Sequence, residues 1–188
     1  AVPGTLGLGP SAPFFSRDSQ WLGFGNPGAG FKTSLNGGTL LNLGPLAAFG
    51  NGAYWAADGT ITFGSARGLL QVSDGGGTPR ELTQSQAGQG IHRLPDLLPQ
   101  GRGVLFAVAT PASSAIAVYS PATGRRDLIP SGTAPHYSPT GHLIYAQAGT
   151  LFAAPFDPDT LSLTRDPTPV VQGVLQTNTG FPYYSFSD

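Results

Sequence analysis

Apolar residues in this chain come in short runs broken by polar turns, and the pattern repeats. Four stretches share one plan, an apolar run, a turn and a second apolar run: PFFSRDSQWLGF (13–24), AYWAADGTITF (53–63), PDLLPQGRGVLF (95–106) and PHYSPTGHLIY (135–145). Their turn residues, Ser19, Gly59, Gly101 and Gly141, follow one another at intervals of 40, 42 and 40 residues. After each stretch comes a linking segment and a third apolar run, FKTSL, GLLQVS, AIAVYS or GTLFAAPF. A second turn follows as NGG, DGGG, PATG or DPDT, and then a fourth run, TLLNL, RELT, RDLI or the more irregular PVVQGV. Asn-Gly and Asp-Gly supply the positive φ angles that tight hairpins need. Nowhere does a stretch free of both Gly and Pro exceed nine residues, short of the about 11–12 of an ordinary helix.

Strand, hairpin, strand, link, strand, hairpin, strand, at a period near 40 residues, is the plan of a β-propeller blade, a four-stranded sheet that cannot bury its faces alone. The expected fold is therefore all-β, with four antiparallel meanders at about 11–50, 51–90, 91–132 and 133–174, and 175–188 opening a fifth, within one propeller domain spanning 1–188. Both ends look like parts of further blades, so the chain reads as a portion of a larger ring. Four blades of a six-bladed ring would leave apolar faces and strand edges open, which invites self-association. Pairing TLGLG (5–9) with YYSFS (183–187) to close a smaller ring is the other solution.

Composition narrows the classes. With 28 Gly and 18 Pro the chain approaches compositions typical of disorder, but 39% of it is hydrophobic, more than a disordered segment carries. A net charge of −1 with nine Lys and Arg lacks the electrostatic footprint of nucleic-acid binding. No run of 18 apolar residues provides a membrane span, and the absence of cysteine excludes disulfides and thiol chemistry.

One stretch imitates a nucleotide site. GFGNPGAGFKTS (23–34) fits G-x-G-x-x-G at Gly23, Gly25 and Gly28, and lies one residue from a phosphate loop, with Phe31 set between Gly30 and Lys32. Such loops cradle phosphate on the N-terminus of a following helix. Here TSLNGGTLLN follows, with a glycine pair where the second helical turn belongs. The segment is expected to be the loop between the second and third strands of the first repeat, and no cofactor is assigned.

The segments PFFSRDSQWLGF, HRLPDLLPQGRGVLFAV and YSPTGHLIYAQAGTLFAAPFD resemble the WD-repeat-like propeller segments of the TolB type, whose SPDG turn survives in part as RDS, ADG, PQG and PTG. The resemblance runs from about Ser11 to Asp188. It implies a non-enzymatic binding, interaction or sensor platform in a bacterial protein, extracytoplasmic or periplasmic, of the kind found downstream of serine/threonine kinase domains. Function is grafted onto such scaffolds rather than fixed by them. The alternative is the substrate-gating propeller of a prolyl-oligopeptidase-like peptidase.

Chemistry-bearing motifs are sparse. No G-x-S-x-G nucleophile elbow occurs, and no catalytic residues are assigned. His136 and His142 flank a turn, but zinc needs a third ligand, and DPDT reads as a turn with Asp157 as its helper, so no metal site is assigned. Large residues recurring at matching positions (Trp21 and Phe24, Phe63, Leu105 and Phe106, Ile144 and Tyr145) read as repeated core. Tyr54, Trp55 and Tyr137 lie at the loop-proximal ends of first strands, where partial exposure is open to them, but core packing is the favoured role for these too. The candidate ligand-binding residues are His92, Arg93 and His136, at the entries to first strands in neighbouring repeats, where polar groups converge on a concavity. The ligand itself, protein or small molecule, is unspecified.

Overall fold

The computed structural model describes residues 11–26, 28–44, 51–177 and 180–185. Within them the secondary structure is strand and turn with a short 3₁₀ segment at Pro99–Gly101, and no α-helix. Pairing the ends through TLGLG lies outside the described residues. Contacts divide the chain into two compact units. The first holds the described residues up to Gln86 together with Ile91–Arg93, and the second holds Ala87–Gly90 and the described residues from Leu94 onward.

Each unit carries two of the four repeats. In the first, β1 (Ser11–Phe15), β2 (Trp21–Asn26), β3 (Ala29–Ser34) and β4 (Leu41–Gly44) form an antiparallel sheet in sequence order. The second meander follows with β5 (Ala53–Trp55), β6 (Thr60–Ser65), β7 (Gly68–Ser73) and β8 (Arg80–Glu81). In the second unit, β9 (Ile91–Leu97, of which Leu94–Leu97 belong here) precedes β10 (Val104–Ala109), β11 (Ser114–Ser120) and β12 (Gly124–Ile129) in the same up-and-down order. The last repeat has β13 (Thr133–Ser138), β14 (His142–Gln147) and β15 (Thr150–Asp157), paired in sequence order.

The expected irregularity of the last outer strand is a split. Two short strands share the outer edge of β15: β16 (Ser162–Leu163) pairs with Phe156 and Asp157, and β17 (Thr168–Gln172) with Thr150–Ala153. Pro155 stands between them. Its carbonyl accepts the Thr164 N–H at 2.9 Å, so its nitrogen faces the same edge and has no hydrogen to donate, which interrupts the ladder there.

All four repeats also share a positive-φ residue in or just before the first strand, accompanied by a bulge in the first and last repeats, which the sequence pattern does not show. Ala12, Gly52, Leu94 and Ala134, each seven residues before the turn residue of its repeat, have φ of 46°, 85°, 52° and 50°. The β1 ladder slips register between Ser11 and Phe14, and the β13 ladder between Thr133 and His136. A bulge of this kind bends a strand and re-aims the side chains beyond it.

Burial explains why central strands show no alternation. All six residues of β10 are buried, as expected where a sheet is covered on both faces. The first unit packs around Phe14, Leu43, Trp55, Ile61, Phe63 and Val72. In the second, Leu105, Ile116, Val118, Leu143, Tyr145 and Phe156 are at the centre. These are the repeated apolar positions of the sequence, brought together because each sheet lends one face to its neighbour.

Candidate binding site

The glycine-rich segment is a β-hairpin. Most of it lies in strands rather than in a loop: Phe24 pairs with Phe31, Gly25 with Gly30 and Asn26 with Ala29. Gly23 is small for a packing reason, since a Cβ there would lie 2.3 Å from the Phe14 ring. Lys32 points not to a phosphate cradle but into an aromatic clamp. Its Nζ lies 4.8 Å from the ring centre of Trp21, 5.5 Å from that of Trp55 and 3.7 Å from Asp74 Oδ2. The cation thus ties the first repeat to the second through two indoles and a carboxylate. Trp55 is buried, in the core role favoured for it, whereas Trp21 is only partly buried.

The three candidate residues have different settings. His92 is fully buried, with Nδ1 2.8 Å from Thr83 Oγ1. That hydroxyl accepts the Leu69 N–H at 2.8 Å, so the imidazole belongs to a buried chain joining β7, the segment after β8 and β9. Ser65 of β6 pairs with His92. The approach is close because Gly64 has no side chain; a Cβ there would lie 2.5 Å from the His92 carbonyl oxygen. In this structure His92 packs and holds the start of β9. Arg93, next along, is partly buried, and burial pushes its guanidinium below its ordinary value.

His136 belongs to the second unit and keeps 27% of its side chain exposed. Its Nδ1 lies 3.3 Å from Asp96 Oδ1, while Asp96 Oδ2 accepts the Tyr137 N–H at 2.7 Å. Asp96, only 7% exposed, therefore spans from β9 to the next first strand, β13. Tyr184 completes the group, with its hydroxyl donating to the carbonyl of the bulged Ala134. Burial, reinforced by the Asp96 charge, pushes the Tyr184 phenol well above its ordinary value. The arrangement orients one half-exposed imidazole against a buried carboxylate and keeps a tyrosine hydroxyl protonated.

Sequence reasoning singled out His136 and passed over Asp96 and Tyr184, which the structure places around it. A signal for Asp96 was present: strand pairing and turn closure put Tyr54, Asp96 and His136 at one repeat position, so a carboxylate and an imidazole occupy equivalent places in consecutive repeats. Asp157 behaves as expected, capping its turn by accepting the Asp159 N–H at 2.8 Å and the Thr160 hydroxyl at 2.9 Å. Those bonds hold its carboxyl below the usual value.

The fold so described is that of β-propeller blades, and comparison with solved structures agrees. No family model matches the sequence, and no curated protein matches it. Among solved structures the chain is similar to TolB from Acinetobacter baumannii, with a TM-score of 0.65 and 18% identity over 87% of this chain and 44% of that one. A calcium-binding protein, regucalcin, from Agrobacterium tumefaciens gives 0.68 and 14%, over 86% of this chain and 59% of that one. A luciferin-regenerating enzyme gives 0.67 and 9%, over 87% and 60%. The repeats have the TolB-type propeller fold, and the chain spans 44–60% of the length of these three structures. Among the described residues no three His, Cys, Asp or Glu side chains gather in one place.

Proposed function

We propose that the chain is a non-catalytic binding module, the sensor or scaffold portion of a longer bacterial protein such as a serine/threonine kinase, and that it meets its partner through the inner-strand group of the second unit. The supporting observation is the Asp96–His136 pair. A buried carboxylate orients a half-exposed imidazole on the first strands, which in propellers line the central channel, and converging polar groups in a concavity are the default binding hypothesis. Arg93 and His92 precede Asp96 on the same strand but belong to the first unit, where His92 is an internal anchor.

Capture from an extract of the native cells, on the wild-type chain and on His136→Ala, tests the reading. Proteins retained by the wild type and lost from the variant support it, and identical sets from both overturn the site. Some propellers of similar fold are enzymes, so lactones and peptide esters should be offered to the chain as well; turnover that His136→Ala abolishes would overturn the non-catalytic reading. Self-association through exposed strand edges is part of the same proposal, and light scattering that finds only a monomer near 19.3 kDa would refute it.

A further inference from the structure

The chain has two tryptophans, and both line one open depression in the first unit, with a volume of about 280 Å³. Its walls come from successive hairpins: Arg17, Asp18 and Trp21 from the β1–β2 hairpin, Trp55 from the end of β5, and Asp74 from the turn after β7. The small residues Ala56 and Ala57 leave it open between the two hairpins. None of these residues belongs to the inner-strand group of the second unit.

The formal charges at this rim cancel only when Lys32, behind the wall, is counted. Asp74 pairs with Lys32, which the two indoles clamp from within, and Arg17 neighbours Asp18 in sequence. With Lys32 neutralising Asp74 from behind the wall, the Arg17 and Asp18 charges of the lining sum to zero and select neither an anion nor a cation. The lining offers instead an aromatic wall beside fixed donors and acceptors. Asp18 is held in place and ionised: Oδ1 takes the Ser16 hydroxyl at 2.5 Å and the Gln20 N–H at 3.0 Å, and these bonds keep its carboxyl below the usual value. Both bonds fall on Oδ1, which leaves Oδ2 to accept from a ligand. Arg17 presents a planar fork of donors, with Nη1 3.5 Å from the Tyr54 hydroxyl.

We infer that this depression binds a neutral saccharide unit. The apolar C–H face of a pyranose ring packs on Trp21, the partly exposed one of the two indoles, as large rigid aromatic surface favours. Adjacent ring hydroxyls then accept from the Arg17 guanidinium and donate to Asp18, bonds strengthened by the charge on the protein side. The volume lies just below the usual range for small-molecule pockets, about 300–1,000 Å³, and so suits one or two sugar rings rather than a long oligomer.

The tryptophans make the test specific, because all of the indole fluorescence of the chain arises at this site. Methyl glucoside, N-acetylglucosamine and cellobiose are titrated against the wild-type chain, with methylammonium and acetate as charge-only probes. The expected result is a saturable change in tryptophan emission with at least one saccharide and none with the two ions. Arg17→Ala and Asp18→Asn replace exposed side chains, so their far-UV circular dichroism should match the wild type while saccharide affinity falls by about tenfold or more, the loss of one charge-assisted hydrogen bond. No saturable response to any saccharide overturns the inference. So does a response to methylammonium or acetate instead, or wild-type saccharide affinity in both variants.

Discussion

Replacing Asp96 is the sharpest perturbation of the second unit, because one carboxylate serves two groups on the neighbouring strand. Asp96→Ala removes the acceptor of the Tyr137 N–H at 2.7 Å and the partner of His136 Nδ1 at 3.3 Å. A hydrogen bond to a charged group contributes about 1.5–3 kcal/mol net, and an orphaned buried donor costs a similar amount. These describe one event, so they are not summed, and the lost desolvation burden of the carboxylate offsets part of it. The expected cost is about 2 kcal/mol. For a chain of this size that lowers the melting temperature by roughly 4–8 °C.

Asp96→Asn keeps an oxygen for the Tyr137 amide and gives up only the charge, so about 1 kcal/mol is expected, close to the difference between charged and neutral bonds. Urea denaturation of both variants, with His136→Ala and the double variants, measures the individual costs and the coupling. The slope of unfolding free energy on urea should stay constant, as it does when stability alone changes. Asp96→Ala within about 0.5 kcal/mol of wild type, the range of an ordinary surface substitution, would show that the carboxylate does not hold β13, and the site described here would fall with it.

Tyr184 sets a pH dependence of known sign. Its phenol is pushed up in the folded chain by burial and by Asp96, so as pH rises above about 10 the unfolded chain loses that proton first and stability falls; urea midpoints from neutral to alkaline pH should show the decline and Tyr184→Phe should flatten it. Lys32→Ala should cost about 1–2 kcal/mol in urea melts by emptying the two-indole clamp, and neither wild type nor variant should bind ATP saturably in a calorimetric titration. Gly68→Ala should lower the melting temperature severely, because φ is +130° and a Cβ would lie 2.0 Å from the Thr83 carbonyl oxygen. Ala134→Gly, at φ +50°, should instead be neutral or stabilising by up to about 1 kcal/mol in the same melts.

Much of the fold was legible because the same physical demand recurs four times. Pairing aligns Phe24, Phe63, Phe106 and Tyr145 at one position of the repeat, and none exceeds 2% exposure. A sheet interface that repeats needs one large residue each time, so repetition reads directly as core. The turns were legible for a similar reason, since Asn-Gly and Asp-Gly lower the cost of positive φ. The shared positive-φ position was hidden because Ala12, Leu94 and Ala134 occupy it without being glycine; only Gly52 has the residue type that signals such a conformation. The split outer strand was written in Pro155, but its effect depends on which edge the proline nitrogen faces, and that is fixed only by the ladder.

Binding chemistry obeys the opposite rule, which is why the sequence yielded it poorly. Where Phe24 and its equivalents repeat, a first-strand position does not: Phe14, Tyr54, Asp96 and His136, each two residues beyond the positive-φ residue of its repeat, share a position yet share no chemistry. A position that only had to pack would have settled on one large apolar type, as the position of Phe24, Phe63, Phe106 and Tyr145 did. Asp96 is buried all the same, and a buried carboxylate persists only where it is hydrogen-bonded or paired, which the Tyr137 amide and the His136 ring provide. Lys32 follows the same logic in the first unit. Its equivalent across the other third strands is not a lysine, and it is retained against desolvation by Asp74 and by two indoles that occur nowhere else in the chain. In a repeat protein the broken positions are therefore the ones to test first, and they mark both the inner-strand pair and the tryptophan-lined depression.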